Sequence, residues 1–165
     1  MKKRIFIIAG LILIVSFAIF LAYKQTTQTG GEVKQYSKGD ENAPKAEVDH
    51  SSFDFGVLTS HEKKSHTFNI KNTGKSPLIL SNPKSSCDCT SVIIKIGENS
   101  SPSFSMHDNK SWEEGVKPGE TAEAIVTYDP SVHPGEKGKI ERYIYIKTDD
   151  PNMENLSLKI TIGVY

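Results

Sequence analysis

The sequence lacks the residue patterns on which most recognisable enzyme families depend. It contains no Gly-x-Ser-x-Gly nucleophile turn, no His-Glu-x-x-His zinc motif and no glycine-rich phosphate-binding loop. Its five histidines are scattered, and no two of them stand at the close spacing of a metal-binding pair. We therefore expect a protein without catalytic activity.

The chain also has no net charge at pH 7, because 20 basic side chains balance 20 acidic ones. No basic stripe with interleaved aromatic residues is present, so nucleic acid is not an expected partner. No pattern for a small-molecule substrate is evident either. The expected partners are therefore the membrane and another protein.

Only one long apolar run is present, from Ile5 to Tyr23, and three cations at residues 2–4 precede it. A helix of these 19 residues is about 28 Å long, which matches the hydrocarbon thickness of a bilayer. The alternative is a cleaved signal peptide, but its apolar region is usually shorter and ends in a small-x-small site. Residues 1–24 are predicted to form a membrane anchor with a cytoplasmic N-terminus and an exported C-terminal part.

Residues 25–45 are polar, contain glycine and proline, and show no apolar period. They are predicted to form a flexible linker. Residues 46–165 follow as one predicted domain in the periplasm or outside the cell.

The predicted domain consists of short alternating segments separated by turn signals, which is typical of strands with one buried face. No segment of ten residues beyond the anchor has helical spacing. About seven strands over this length predict an all-β, immunoglobulin-like antiparallel sandwich. The alternating segments are Glu47–Phe55, His66–Ile70, Leu78–Leu80, Thr90–Ile94, Ala122–Tyr128, Ile140–Ile146 and Leu156–Val164.

The segment Lys95–Gly115 is polar and long for a sandwich loop, and loops of this length often carry function. It contains Phe104, Met106 and Trp112. These side chains either pin the loop to the sandwich or form the exposed anchors of a partner-binding surface.

The sequence Cys87-Asp88-Cys89-Thr90 is the most conspicuous candidate site. On an extended strand the two cysteines are too far apart to bond, so a disulfide requires a turn or bulge at Asp88. Three interpretations stay open: structural thiols or a small disulfide, a soft-metal site such as Cu(I) with a Met or His ligand, and a redox-active pair.

Two further features have structural interpretations. His66 stands at an inward-facing strand position, which predicts a core histidine. Asp149 and Asp150 precede Pro151-Asn152 and are predicted to form a turn, not an acid–base pair.

Several motifs, taken in order, resemble the bacterial domain-of-unknown-function family fifteen seventy-three (DUF1573). The resemblance covers residues 47–164, and Asp88 stands where the family usually has glycine. The matching motifs are Phe53-Asp54-Phe55-Gly56, His66–Gly74, Ser76–Leu80, Ser86–Thr90, Lys117–Glu120, Thr127–Pro130, Pro134-Gly135 and Thr148–Pro151.

This resemblance implies an exported protein with an immunoglobulin-like domain similar to those of major sperm protein and the ASH group. The family has no established activity, and the similar domains are mostly scaffolds that bind proteins. We therefore expect a membrane-anchored binding or scaffolding module of the bacterial cell envelope, without a cofactor. The alternative is thiol-based copper binding or redox handling through Cys87 and Cys89.

Overall fold

The computed structural model describes residues 35–58 and 62–165. Residues Tyr36–Tyr165 form one compact unit. The predicted anchor at residues 1–24 lies outside the described residues, as does the predicted linker up to residue 34. Within the described ranges, no helix has the length and hydropathy that crossing a membrane requires.

The described chain folds as ten strands with a short 3₁₀ turn at Pro130–Val132. The strands are β1 (Ala46–Val48), β2 (Ser52–Leu58), β3 (Lys64–Asn72), β4 (Leu78–Ser85), β5 (Thr90–Ile96), β6 (Asn99–Ser100), β7 (Glu113–Val116), β8 (Thr121–Tyr128), β9 (Gly138–Thr148) and β10 (Asn155–Val164).

The strands form two five-stranded sheets with the orders β1-β3-β8-β5-β6 and β2-β10-β9-β4-β7. The prediction of an all-β fold is therefore confirmed. The structure has more strands than the predicted seven. The strands β1, β6 and β7 have only three, two and four residues, which is too short for an alternating pattern to be recognised in the sequence. The expectation of a wholly antiparallel arrangement is wrong at one pair, since β2 runs parallel to β10.

The core lies between the sheets and takes the inward-facing side chains of both. In β10, Leu156, Leu158, Ile160 and Ile162 are buried, as the alternation of the sequence predicts. Strand β8 supplies alternate buried residues to the same apolar cluster from the other sheet. Burial of this apolar surface is the main source of stability.

Residues 43–45 pack against the turn that follows β3. The Thr73 N–H donates to the Lys45 carbonyl at 2.8 Å, and the Lys75 N–H donates to the Ala43 carbonyl at 3.3 Å. A Cβ atom on Gly74 would lie 2.4 Å from the Ala43 carbonyl oxygen, so this close approach requires glycine. The compact unit thus begins before residue 46, where the domain was predicted to start.

The turn after β9 uses both of its aspartates to hold backbone groups. Asp150 is 1% exposed and accepts hydrogen bonds from the Ala46 N–H at 2.9 Å and the Asn152 N–H at 2.8 Å. Asp149 accepts from the Ile79 N–H at 2.8 Å. Burial raises the pKa of Asp149, although this hydrogen bond opposes the shift. Asp150 therefore ties β1 of one sheet to the β9–β10 turn of the other.

His66 lies in a partly buried aromatic cluster. Its ring stacks on Phe53 with centroids 3.5 Å apart, and its Nε2 lies 2.7 Å from Nε2 of His50. The Nδ1 atom of His50 lies 2.9 Å from Asp49. Burial, and then the nearby His50, lower the pKa of His66.

We predict that Asp150→Ala destabilises the domain, because it leaves the buried Ala46 N–H without its acceptor and also removes the part-buried hydrogen bond from the Asn152 N–H. Losing these two bonds to a carboxylate lowers the free energy of unfolding by about 2 kcal/mol. Denaturant unfolding of the variant measures this loss. The exposed neighbour Glu47 gives the control Glu47→Ala, and equal stability of both variants would contradict the assignment.

We also predict that His66 makes stability fall in mild acid. Unfolded histidines titrate near pH 6.5, so the unfolded state binds more protons than the folded state as pH falls from about 7.5 to about 5.5. In His66→Phe this decrease should be smaller. Unfolding midpoints across that range measure it, with Val92→Ala as a destabilised control whose curve parallels wild type. A curve for His66→Phe that parallels wild type would contradict the prediction.

Candidate functional site

The two cysteines lie on the turn where the chain crosses from one sheet to the other. Strand β4 ends at Ser85 in the second sheet, and β5 begins at Thr90 in the first. Cys87 and Cys89 are joined by a disulfide, with their Cα atoms 5.2 Å apart. The structure therefore shows the small disulfide that was part of the first of the three interpretations from sequence.

Hydrogen bonds fix the turn from within. The Ser85 hydroxyl lies 2.6 Å from the carbonyl oxygens of both Cys87 and Thr90 and donates to one at a time. The Thr90 N–H donates to the Cys87 carbonyl at 3.1 Å, and the Cys89 N–H points at Cys87 Sγ at 3.1 Å. The bridge is nearly enclosed, since Cys87 is 8% exposed and Cys89 only 1%.

Arg142 brings a cation to the sulfur of Cys89. Its Nε–H donates to Cys89 Sγ at 3.2 Å, while another guanidinium nitrogen pairs with Glu136 Oε1. The second oxygen of Glu136 is buried and has no hydrogen-bond partner among the described residues. Burial, and then the Glu136 charge, raise the pKa of neighbouring Tyr128. A charged donor at this sulfur favours a thiolate when the bridge is open.

His133 completes a compact group of potential soft-metal ligands. One of its ring nitrogens and the Sγ atoms of Cys87 and Cys89 all lie within 4.8 Å of one another. His133 is exposed and follows the short 3₁₀ turn after β8. Because Thr90 pairs with Tyr128 across β5 and β8, this turn lies next to the cysteines.

The outer face of the turn contacts the long loop. Asp88 lies 2.6 Å from Nδ1 of His107 and accepts from the Ser105 hydroxyl at 3.3 Å. The hydrogen bond from His107 lowers the pKa of Asp88. The residue that replaces the glycine of the family thus links the cysteine turn to this loop.

The structure separates the three side chains that were candidates for partner binding. Phe104 is 1% exposed and its backbone exchanges two hydrogen bonds of 2.9 Å with Val92, so its ring is not accessible to a partner. Trp112 is partly buried against the core, with its ring centroid 6.3 Å from that of Phe104. Both therefore pin the loop to the sandwich, whereas Met106 is 45% exposed.

A groove of about 440 Å³ lies between this loop and the second sheet. It occurs where the pairing of β4 with β9 shifts register between Ser81 and Lys84, and Asn82 adopts a positive φ of 47°. The lining residues are Asn82, Pro83, Lys84, Asp108, Asn109, Lys110, Ser111, Tyr145, Ile146, Lys147 and Asn155.

The groove is cationic and contains an exposed aromatic ring. Lys110 pairs with Asp108 at 3.3 Å, whereas Lys84 and Lys147 take part in no ion pair among the described residues. Tyr145 is 48% exposed. The volume of the groove falls within the roughly 300–1,000 Å³ typical of ligand sites. The surface therefore suits an anionic, partly aromatic or apolar segment.

Sequence reasoning found the cysteines but missed Arg142 and His133. Arg142 lies between Ile140 and Ile144 on the inward face of β9. A charged residue at an inward-facing position of an otherwise apolar pattern is the sequence feature that could have identified it. His133 had no comparable signal, because its position beside the sulfurs depends on the long-range pairing of β5 with β8.

Comparison with solved structures supports the fold. A protein of unknown function from Porphyromonas gingivalis W83 is 19% identical with a TM-score of 0.57, over 74% of this chain and 48% of that one. The chain therefore spans about half the length of that protein. The ASH / PapD-like domain 7 of human CEP192 is 14% identical with a TM-score of 0.50, over 84% and 96% of the two chains.

A C. elegans MSP family member, WR4, also matches, with 14% identity and a TM-score of 0.39 over 73% of this chain and 97% of that one. No curated protein matches the sequence. A family model does match, over residues 46–101, which include β1 to β6 and the cysteine turn. Over residues 46–101 this match confirms the resemblance found in the sequence, and the family that this part of the chain resembles is the one described as Protein of unknown function (DUF1573).

Proposed function

We propose that this protein is a non-catalytic, immunoglobulin-like binding module, anchored by residues 1–24 in the cell membrane of a bacterium and exposed outside the cytoplasm. In this proposal it binds an acidic, extended segment of another envelope protein in the groove beside the long loop. The observation that carries the proposal is the groove itself, with an exposed tyrosine and two lysines that form no ion pair with the residues that the structure describes.

The charge of the groove supports an acidic partner. Within residues 35–58 and 62–165, Lys84 and Lys147 form no ion pair with a carboxylate, so an incoming anion breaks no ion pair of these ranges. Charge complementarity of this kind directs association and selects against cationic partners. Tyr145 adds a rigid amphipathic surface, a residue type that is enriched in binding hot spots.

The construction of the groove supports a preformed site. One wall is the loop segment Asp108–Ser111, which is held at one end by the buried Phe104. At its other end the Trp112 carbonyl accepts from the Asn82 N–H at 3.0 Å. A wall fixed at both ends loses little conformational entropy when a partner binds.

We predict that the double variant Lys84→Glu, Lys147→Glu loses its partner. A photo-reactive residue at Tyr145 of the full chain would report binding as a cross-linked product in host membranes. The charge reversal should lower the yield at least about tenfold, because like charges repel across a contact. Lys71→Glu, at an exposed lysine of the other sheet, is the matched control. Equal yields from both variants would overturn the groove assignment.

The anchor is tested separately. We expect the full chain to stay with the membrane pellet after an alkaline wash, and deletion of residues 2–24 to release it. Protease added to intact spheroplasts should digest residues 46–165, because three cations before the apolar run favour a cytoplasmic N-terminus. Digestion only after lysis would contradict the orientation.

A further inference from the structure

We propose that Cys87, Cys89 and His133 form a binding site for Cu(I), and that the site exists only when the disulfide is reduced. The two sulfurs and one imidazole nitrogen already lie within 4.8 Å of one another. Ligand atoms at about 2.0–2.3 Å from a metal are roughly 3.5–4 Å apart, so small side-chain movements suffice. This site is distinct from the groove and does not depend on it.

Reduction is required because a thiolate, not a disulfide sulfur, is the metal ligand. A dithiol reductant attacks one sulfur of the bridge, releases the other as a thiolate and forms a mixed disulfide. Its second thiol then displaces the attacked cysteine. Two electrons and two protons pass to Cys87 and Cys89, and the reductant leaves as a disulfide. Cu(I) afterwards replaces the two thiol protons, which go to solvent.

The surroundings favour a particular order of these steps. Cys87 is the more exposed of the pair, at 8% against 1%, and is the accessible point of attack. Cys89 is then the leaving sulfur, and Arg142 Nε–H lies 3.2 Å from it. A charged donor stabilises the departing thiolate, which speeds exchange and prepares the ligand.

The donor set favours Cu(I) over Zn²⁺. Two thiolates and an imidazole are soft ligands, and these three form the compact cluster in the described part of the chain. Zn²⁺ in proteins is almost always four-coordinate, so at this cluster it would need a water molecule or another group as its fourth ligand. Cu(I) is satisfied by three, so the cluster needs no further ligand for this ion.

The test uses the full chain in mild detergent, under argon, with Cu(I) presented as a coloured bicinchoninate complex. After reduction by a dithiol and its removal, wild type should withdraw one Cu(I) per chain. The oxidised wild type should withdraw none and serves as the folded control without thiolates. The double variant Cys87→Ser, Cys89→Ser should also withdraw none.

The histidines give the decisive comparison. His133→Gln should weaken Cu(I) binding at least about tenfold, a loss seen even for partners outside the first coordination shell. His107→Gln is the matched control, because His107 contacts Asp88 of the same turn but lies outside the ligand cluster. It should bind as wild type does.

Three results would overturn the proposal. Reduced wild type could fail to withdraw Cu(I), or His133→Gln could bind as tightly as His107→Gln. Alternatively, the reduced protein could bind Zn²⁺ from a coloured zinc chelator and leave Cu(I) with bicinchoninate. Circular dichroism of each variant establishes that it is folded, so a loss of binding reports the site.

Discussion

The crossing of the chain between the two sheets at Ser86–Cys89 is the constraint on which the rest of the structure depends. Both ends of this turn are held by other strands, since Ser86 exchanges hydrogen bonds with Tyr143 of β9 and the Cys89 carbonyl accepts from Asp129 after β8. A bridge that closes so short a loop removes little entropy from the unfolded chain, roughly 1.5 kcal/mol. Its effect is therefore local: it fixes where the turn points.

The placement of this turn brings together two groups of side chains. On the inner side of the turn, the sulfurs meet Arg142 and the His133 imidazole. On its outer side, Asp88 accepts from Ser105 and contacts His107, which holds the start of the long loop. The same loop continues as a wall of the cationic groove. The cysteine turn thus supports both the proposed copper site and the loop that forms one wall of the proposed binding groove.

The two-residue period of apolar side chains made the sheets predictable from sequence, as in Leu156–Val164, where every second residue from Leu156 is buried and only Thr161 among the residues between them is buried as well. The parallel pairing of β2 with β10 was not predictable, because it depends on a long-range contact that leaves no local pattern. The cysteines could likewise be identified from their sequence, but the positions of Arg142 and His133 beside them could not, because long-range strand pairing places those two residues there. The sequence could not decide whether Phe104 packs on the sandwich or faces a partner, because its burial depends on the long-range backbone pairing of Phe104 with Val92.

The oxidation state of the two sulfurs decides whether the turn is held by a disulfide. The full chain would be isolated from its host with an acid quench, alkylated under denaturing conditions and weighed as the intact protein. We expect a population that is two hydrogens light and resists alkylation. Treatment with a dithiol should give two alkylated cysteines while the circular dichroism of the native domain is retained. Two free thiols in every chain, even after exposure to an oxidant, would contradict this expectation.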